Sequence, residues 1–405
     1  MNNTQKPIYL DYHATTPVDP KILKAVLPFY TEHFGNPASR SHPYGWKASE
    51  AVEMARVHVA DLIHVEKSEI FFTSGATEGL NMLIKGLAEN LSYKGKHIIT
   101  VTTEHQAVLD PLNWLSTKGF EILKLPVDPK GIIDHQKLID SFRKDTIMVM
   151  AMWANNETGV IHDVKAIGDI CDKKGVAFIC DATQAAGKIE VDAVQNNIDA
   201  LVLSAHKMYG PKGSGAVYIS KNKKKIKPEA LIYGGGHEMG YRSGTLNVPG
   251  IVGLGVAADL CKSLQQNDQQ KIGALRDEFE NRIISSLEAV EINGDVANRL
   301  PTVSNLKILY VDSQAIMTKL RTRLAISSGS ACSSADPSPS HVLMAMGLTP
   351  EEAKGSLRIS LGRPTTKEEL DKAGQWLIDE IKEYRSQSPV WQMFKQGVDM
   401  TGRFI

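Results

Sequence analysis

The stretch LVLSAHKMYGPKGSGAVYIS, residues 201–220, ends a short apolar run in Ser204, His206 and Lys207 and then breaks into Gly210, Pro211, Gly213 and Gly215. A lysine at the end of a buried strand, entering a tight turn, is awkwardly placed unless its amine is used. A primary amine is the natural covalent partner of an aldehyde, and pyridoxal phosphate is the cofactor that supplies one as a Schiff base. That cofactor makes further demands. Its phosphate wants backbone N–H groups at a helix start together with hydroxyls, and TSGATEG (73–79) offers them, with Gly75 permitting close approach and Thr77 at the helix entry. Its pyridine nitrogen draws electrons only when protonated, which a buried carboxylate such as Asp181 enforces. Its ring face wants a flat partner, and His105 is one. Taken singly, each residue is weak: a lone lysine is more often ion-paired at the surface, a lone histidine hydrogen-bonded at a core edge, and Asp181 a helix cap. Their order along successive strand ends is what points to one site.

A thiol is the second reactive group. LAISSGSACSSADPSPSHVLMAMGL (324–348) sets Cys332 among small residues from Ser327 to Ser334, with Pro337 and Pro339 ahead of a helical pattern. A linker with an incidental thiol is the plain reading of such a stretch. Yet a cysteine in a polar, glycine-containing segment is not the buried inert kind, and an exposed thiol is prone to oxidation, so its reactivity is expected to be used. Two glycine runs give no support for nucleotide binding. GGGHEMG (234–240) is not a G-x-G-x-x-G between strand and helix, and GPKGSG lacks the spacing of G-x-x-x-x-G-K-[ST].

These groups need elements to position them. Between about residues 65 and 220, apolar runs alternate with helical patterns: SEIFFTSG before ATEGLNMLIKGLAENL, KHIITVTTEH before QAVLDPLNWLSTKG, DTIMVMAMWANNETG before VKAIGDICDKKG, then VAFICDATQ and DALVLSAHK. Repeated β–α units with near-continuous apolar strands predict a mostly parallel sheet with both faces buried. Ligands in such sheets gather at the carboxyl ends of the strands, where Thr73, His105, Asn156, Asp181 and Lys207 stand. Beyond residue 250 the texture changes. A long helical pattern acts as connector, and residues 301–385 read as an α+β unit with strands at TVSNLKILY and SLRISLG and helices at 340–347 and 366–384.

The 405 residues carry 46 basic and 46 acidic side chains, which gives no electrostatic ground for nucleic acid or an anionic membrane as the main partner. The basic run KNKKKIK (221–227) reads as a solvated loop. No stretch approaches a membrane span, and the N-terminal residues lack the apolar core of a secretory signal. Four cysteines, Cys171, Cys180, Cys261 and Cys332, lack metal-type spacing, and their scarcity suits a reducing, cytoplasmic compartment.

With Lys207 and Cys332 taken together, the chain resembles the cysteine desulfurases, pyridoxal-phosphate enzymes of aminotransferase fold type I, and closely the housekeeping type that serves iron–sulfur cluster assembly. The motifs run nearly end to end: IYLDYHATTPVDP, FGNPASRSHPYGW, FTSGATEGLN, TTEHQAVLD, NNETGVI, CDATQAAGK, SAHKMYGPKGSGA, GGGHEMGYRSGT, SSGSACSS, RISLGRPTT and SPVWQMFKQGVDM. The resemblance implies an α/β fold: a large cofactor-binding domain, 15–260, with a mostly parallel seven-stranded sheet, and a smaller α+β domain, 1–14 and 261–405, carrying a mobile cysteine loop at about 327–340. It implies removal of sulfur from L-cysteine to give L-alanine and a persulfide on Cys332. That sulfur would pass to an iron–sulfur scaffold protein and other acceptors, tRNA thiolation included. Sulfur donation to DNA phosphorothioation, or another reaction of the fold type such as transamination or selenocysteine cleavage, stands as the alternative.

Residue by residue, the resemblance implies that Lys207 holds the cofactor aldehyde and moves protons at the substrate α-carbon, that His105 stacks on the ring and assists, and that Asp181 holds the pyridine nitrogen. Gln184 would meet the phenolic oxygen, while Thr77, Ser204, His206 and the backbone around Ala76 would bind phosphate. Thr245 would reach the phosphate of a neighbouring subunit's cofactor, making the enzyme a homodimer. Asn156, beside the cofactor, and Arg358 would hold the substrate carboxylate, for which a guanidinium is suited. No metal, membrane or direct nucleic-acid contact is implied. His13 stands where the family carries serine, and Trp153 where a histidine is familiar; both are expected to lie apart from the cofactor set. The SPVWQMFKQGVDM tail is expected either to dock a scaffold or to pack on its own domain.

Overall fold

The computed structural model describes residues 6–221, 226–328 and 338–398. In chain order its strands are β1 (Ile8–Tyr9), β2 (Ile70–Thr73), β3 (His97–Val101), β4 (Glu121–Leu125), β5 (Thr146–Met152), β6 (Ala177–Asp181), β7 (Ala200–Ser204), β8 (Gly215–Ile219), β9 (Val290–Ile292), β10 (Val303–Ile308), β11 (Leu324–Ala325) and β12 (Ser356–Ser360). Strands β2 to β8 form a seven-stranded sheet in the order β2-β8-β7-β6-β5-β3-β4. Strand β8 is antiparallel to both neighbours and the other pairings are parallel.

Side chains two apart on a strand share a face. Met148 and Met150 of β5 therefore enter one core with Ile98 and Val202, while Val149 and Ala151 enter the opposite core with Ile99 and Leu203. Burial on both faces is why these strands read as unbroken apolar runs. β4 follows another rule: at the sheet edge Glu121, Leu123 and Lys124 are exposed, so no apolar run announces it. β8 follows a glycine-rich turn and was likewise not among the strands expected from sequence.

Helices Ala76–Leu91 and Gln106–Ser116 pack on one face of the sheet, and Pro43–Leu62, Val164–Lys174 and the start of Val248–Ser286 on the other. Their ends are written locally: Asp163 accepts from Ala166 N–H to start one helix, and Gly175 in the left-handed conformation ends it. Each fully buried Leu, Ile or Val in these layers contributes roughly 1.5–3 kcal/mol. Gly255 lets the long helix approach Pro43–Leu62, because a Cβ there would lie 2.5 Å from the Ala55 Cα. An alanine at 255 forces the two helices apart.

Helix Val248–Ser286 runs from one core into another. Cys261 belongs to the sheet's core, whereas Ile272, Phe279 and Ile283 join a second one with Leu306, Leu357, Leu377 and Ile381. That second core backs the antiparallel sheet β12-β10-β9. The N-terminal segment crosses to it: β1 pairs in parallel with β11, and Asp11 bridges to Ser360 at the end of β12. Helix Pro389–Lys395 folds back on the same unit, with Phe394 4.7 Å from the Tyr310 ring and the Arg385 guanidinium 4.2 Å over Trp391. No described helix is long and apolar enough to cross a membrane.

Candidate active site

Parallel strands deliver their carboxyl ends to one place. A cavity of about 620 Å³ opens there, lined by Ala76 and Thr77 after β2, His105 after β3, Asn156 after β5, Asp181 and Gln184 at the end of β6, and Ser204, His206 and Lys207 at the end of β7. Nine of the residues singled out from sequence thus meet around one space.

At one end of the cavity helix Ala76–Leu91 begins. Its N-cap is Gly75, at φ 155°, and no side chain caps it, so its first N–H groups remain for a ligand. Gly215 of β8 lies against it, where a Cβ would come within 2.6 Å of the Gly75 Cα. Glu78, in the first turn, does not compete for this end. Despite the desolvation that raises its pKa, hydrogen bonds from Arg242 (2.9 Å) and from Ser74 hold its carboxyl below the usual value.

The cavity floor carries the acid. Asp181 is buried, and its Oδ1 accepts the Thr183 N–H at 2.9 Å. Behind it, Glu104 is fully buried; desolvation, with the Asp181 charge adding, raises its carboxyl well above the ordinary value. Burial thus disfavours the charged form of Glu104, and Asp181, not Glu104, lines the cavity. His105 caps helix Gln106–Ser116, its Nδ1 accepting the Ala107 N–H at 3.0 Å, which leaves Nε2 to carry the proton of the neutral ring.

Lys207 Nζ donates to the carbonyls of His13 (2.6 Å) and Ala14 (2.8 Å). Gln184 Nε2 donates to the same His13 carbonyl at 3.0 Å. His206 bonds the Thr15 hydroxyl at 3.1 Å, and burial, with the Lys207 and Lys212 charges adding, brings its pKa down to about 4.

His13 corrects an expectation. Far from lying apart, it lines the cavity, and its ring joins Asn156 O (3.2 Å) and Thr302 Oγ1 (2.8 Å). Because a carbonyl only accepts, Nδ1 carries the proton and Nε2 accepts from the threonine. Desolvation, then the charges of Lys188 and Arg358, hold the ring neutral. Trp153 is buried just beyond β5, its backbone N–H donating to Asp181 O at 2.9 Å.

Arg358 is not on the cavity wall. It is fully buried behind Asn156, with Nη1 donating to Asn156 O (3.2 Å) and Nη2 to Asp11 (2.8 Å) and Ser327 (3.1 Å); its Nε has no partner among the described residues. Thr245 is exposed and likewise not on this wall. Cys332 lies outside the described residues, but both flanks of its segment are anchored at the site. Ser327 bonds Arg358, and beyond the segment Ser340 donates to Glu157 (2.5 Å) and His341 bonds Glu104 O (2.9 Å).

Several residues escaped the sequence reading. Thr183 and Lys212 line the cavity and stand two and five residues beyond Asp181 and Lys207, near enough that the strand-end rule points to them. Glu238, within the GGGHEMG run read as a mere turn, is buried and takes both Arg56 donors at 2.9 Å and the Phe72 N–H at 2.8 Å. No local signal announces it.

Pyridoxal phosphate fits these residues. An uncapped helix start flanked by the Ser204 and Thr77 hydroxyls suits its phosphate, and the buried Asp181 carboxylate suits its ring nitrogen. The Thr183 hydroxyl, buried on the wall with no partner among the described residues, is left for a ligand atom. Among the described residues no group of three or more His, Cys, Asp or Glu side chains is set to hold a metal ion.

The fold is that of a known class: the aminotransferase class-V model matches residues 8–373, and the chain belongs to that family, whose cofactor is pyridoxal phosphate. Within it the chain is a member of the cysteine desulfurases. It is 50% identical over 396 residues to cysteine desulfurase IscS of Shewanella sp. (strain ANA-3), across 97% of each chain. A NifS-like protein of solved structure superposes with a TM-score of 0.86 at 35% identity, over 94% of this chain and 100% of the other. SspA in complex with cysteine superposes at 0.76 with 36% identity, over 88% and 99%.

Proposed function

We propose that the chain takes sulfur from free L-cysteine, releases L-alanine and holds the sulfur as a persulfide on Cys332 for transfer to acceptor proteins, an iron–sulfur scaffold first among them. The convergence of Lys207, Asp181, His105 and the uncapped helix start on one cavity carries this reading. Pyridoxal phosphate, held through Lys207, supplies an electron sink for charge at the substrate α-carbon. Ala76 N–H, Thr77, Ser204 and His206 would hold its phosphate, Asp181 its ring nitrogen and Gln184 its phenolic oxygen, with His105 against the ring. Asn156 and Arg358 would take the substrate carboxylate, Asn156 from the cavity wall and Arg358 from behind it. Lys207 would remove and return protons at the substrate α-carbon. The Cys332 thiolate attacks the substrate sulfur; an S–S bond forms as the C–S bond breaks, and the carbon fragment takes up a proton to leave as alanine.

The anchoring of Ser327, Ser340 and His341 beside Arg358, Glu157 and Glu104 supports Cys332 in this role. Residues 15–260 serve as the cofactor domain, and 1–14 with 261–405 as the smaller one. The enzyme acts as a homodimer: exposed Leu27, Tyr30, Phe34, Tyr44 and Trp46 make an apolar face, bordered by a groove of about 540 Å³ between Trp46 and His237. Thr245 is next to Gly244, which donates to His237 at 3.3 Å, so it stands at that face. The described cysteines, Cys171, Cys180 and Cys261, are buried, in keeping with a cytoplasmic setting.

Replacing Cys332 with alanine tests the assignment. Sulfur release from L-cysteine should fall by about three orders of magnitude while the bound cofactor's yellow absorbance stays. Unchanged turnover to alanine would overturn the persulfide role.

A further inference from the structure

We propose that Lys188 is a positioning residue of the active site: its amine clamps the side-chain oxygen of Gln184, so that the Gln184 amide presents its N–H donors toward the cofactor cavity. The proposal rests on the reading of that cavity as the pyridoxal-phosphate site. Lys188 stands one helical turn's spacing beyond Gln184, and its Nζ donates to Gln184 O and to Gln184 Oε1, both at 3.1 Å. Gln184 Nε2 in turn donates to His13 O, the acceptor that Lys207 also uses. One connected set of polar contacts therefore runs from Lys188 through Gln184 and the His13 carbonyl to the reactive amine.

The clamp matters because the two ends of an amide have nearly the same shape, and only their partners decide which way it faces. A charged lysine amine has donors and no acceptor, and a neutral one still donates through two N–H bonds, so in either form it can hold the oxygen end. The nitrogen end is then turned to His13 and the cavity. The cofactor's phenolic oxygen is ortho to the aldehyde that Lys207 takes, so a donor beside Lys207 is the one that meets it. Were the amide reversed, a carbonyl oxygen would oppose that oxygen and repel it.

Lys188 is not explained as an ion pair. Among the described residues it makes no salt bridge, and it lines, with Lys207, a small cavity of about 20 Å³ to which Tyr12, Tyr209, Cys261 and Asp268 also contribute. Its charge also reaches His13 and His206. Burial, with the Lys207 charge adding, brings its pKa down to about 7. A basic group kept in such a place at a cost to its own charge needs a use, and holding Gln184 is the use its contacts show.

The test is a spectroscopic pH titration of the holoenzyme, following the yellow absorbance of the lysine-bound cofactor. An N–H on the phenolic oxygen and a nearby positive charge both weaken the hold of that linkage on its proton. Lys188→Met should therefore raise the midpoint at which the yellow form is lost by about one pH unit. Gln184→Leu should raise it similarly, and adding Lys188→Met to Gln184→Leu should shift it little further, since the two act as one unit. Lys188→Arg, still a pure donor, should keep the wild-type midpoint. An unmoved midpoint in Lys188→Met, additive shifts in the double variant, or an arginine variant displaced as far as the methionine one would each overturn the clamp. Should the methionine variant fail to fold, Lys188→Gln, which also removes the charge and can offer an acceptor, takes its place in each of these comparisons. Yellow absorbance surviving in Lys207→Ala would instead overturn the reading of the cavity itself.

Discussion

The two ends of the cavity are held by different means. At the cofactor end, Ser204, Asp181 and His105 leave the ends of β7, β6 and β3, and the ladder that joins those strands sets their spacing. At the end that faces Arg358, the parts come from three places: Asp11 and His13 on the N-terminal segment, Asn156 beyond β5, and Arg358 on β12 of the other sheet. No shared ladder joins all three. Hydrogen bonds to a single acceptor, the Asn156 carbonyl, tie His13 and Arg358 together. Backbone pairing tolerates the loss of one side chain, whereas a side-chain network transmits it. The cofactor end should therefore fail locally and the Arg358 end collectively.

The largest effect is expected at the cofactor end. Asp181→Asn removes the charge that keeps a ring nitrogen protonated and should lower kcat for cysteine by about three orders of magnitude, without disturbing the fold. A change confined to KM would show that Asp181 only caps Thr183. At the other end, Arg358→Ala should raise KM about 100-fold, with the yellow absorbance retained, because truncation removes the carboxylate's partner and takes from the half-buried Asp11 its ion pair. Arg358→Lys keeps the charge and loses the fork, so it should recover only part of that loss. If the comparison holds, His13→Ser should weaken cysteine binding along with Arg358. A variant that lost the cofactor instead would place His13 with the strand ends.

The same contrast governs what the sequence discloses. Strand-end residues are legible because burial on both faces produces unbroken apolar runs, and the polar residue that ends each run marks the site; His105, Asp181 and Lys207 were found this way. β4, exposed at the sheet edge, leaves no such run. The His13–Asn156–Arg358 network is illegible for a physical reason: its members are 143 and 202 residues apart, and their contacts depend on how the N-terminal segment is stitched to β12. The anchoring of Glu238 by Arg56, 182 residues away, was hidden for the same reason. Motif likeness supplied Arg358 as a candidate residue, but not its pairing with Asp11 or its place behind Asn156.

The smallest predicted effect probes how the Asn156 segment is held. That segment is a tight hairpin, in which Ala154 bridges to Ile161 and Asn155 N–H donates to Val160 O at 2.9 Å. His162 closes its base, its N–H donating to Trp153 O at 2.9 Å, while its ring is buried with neither nitrogen partnered among the described residues. Burial, with nearby His135 adding, brings its pKa down to about 4. The unfolded chain, with an ordinary histidine near 6.5, binds the proton more readily, so stability falls as pH drops from the ordinary value toward 4 and levels off below it. Between pH 7 and pH 5 this one ring should cost about 2 kcal/mol. Thermal unfolding of His162→Leu beside the parent chain isolates that share from His13 and His206, whose folded-state values are also lowered. The gap between the two melting curves should be steady above neutrality and shift in the variant's favour on acidification. A gap that ignores pH would mean that the ring accepts its proton without opening the hairpin, and that this end of the cavity is held more firmly than its scattered parts imply.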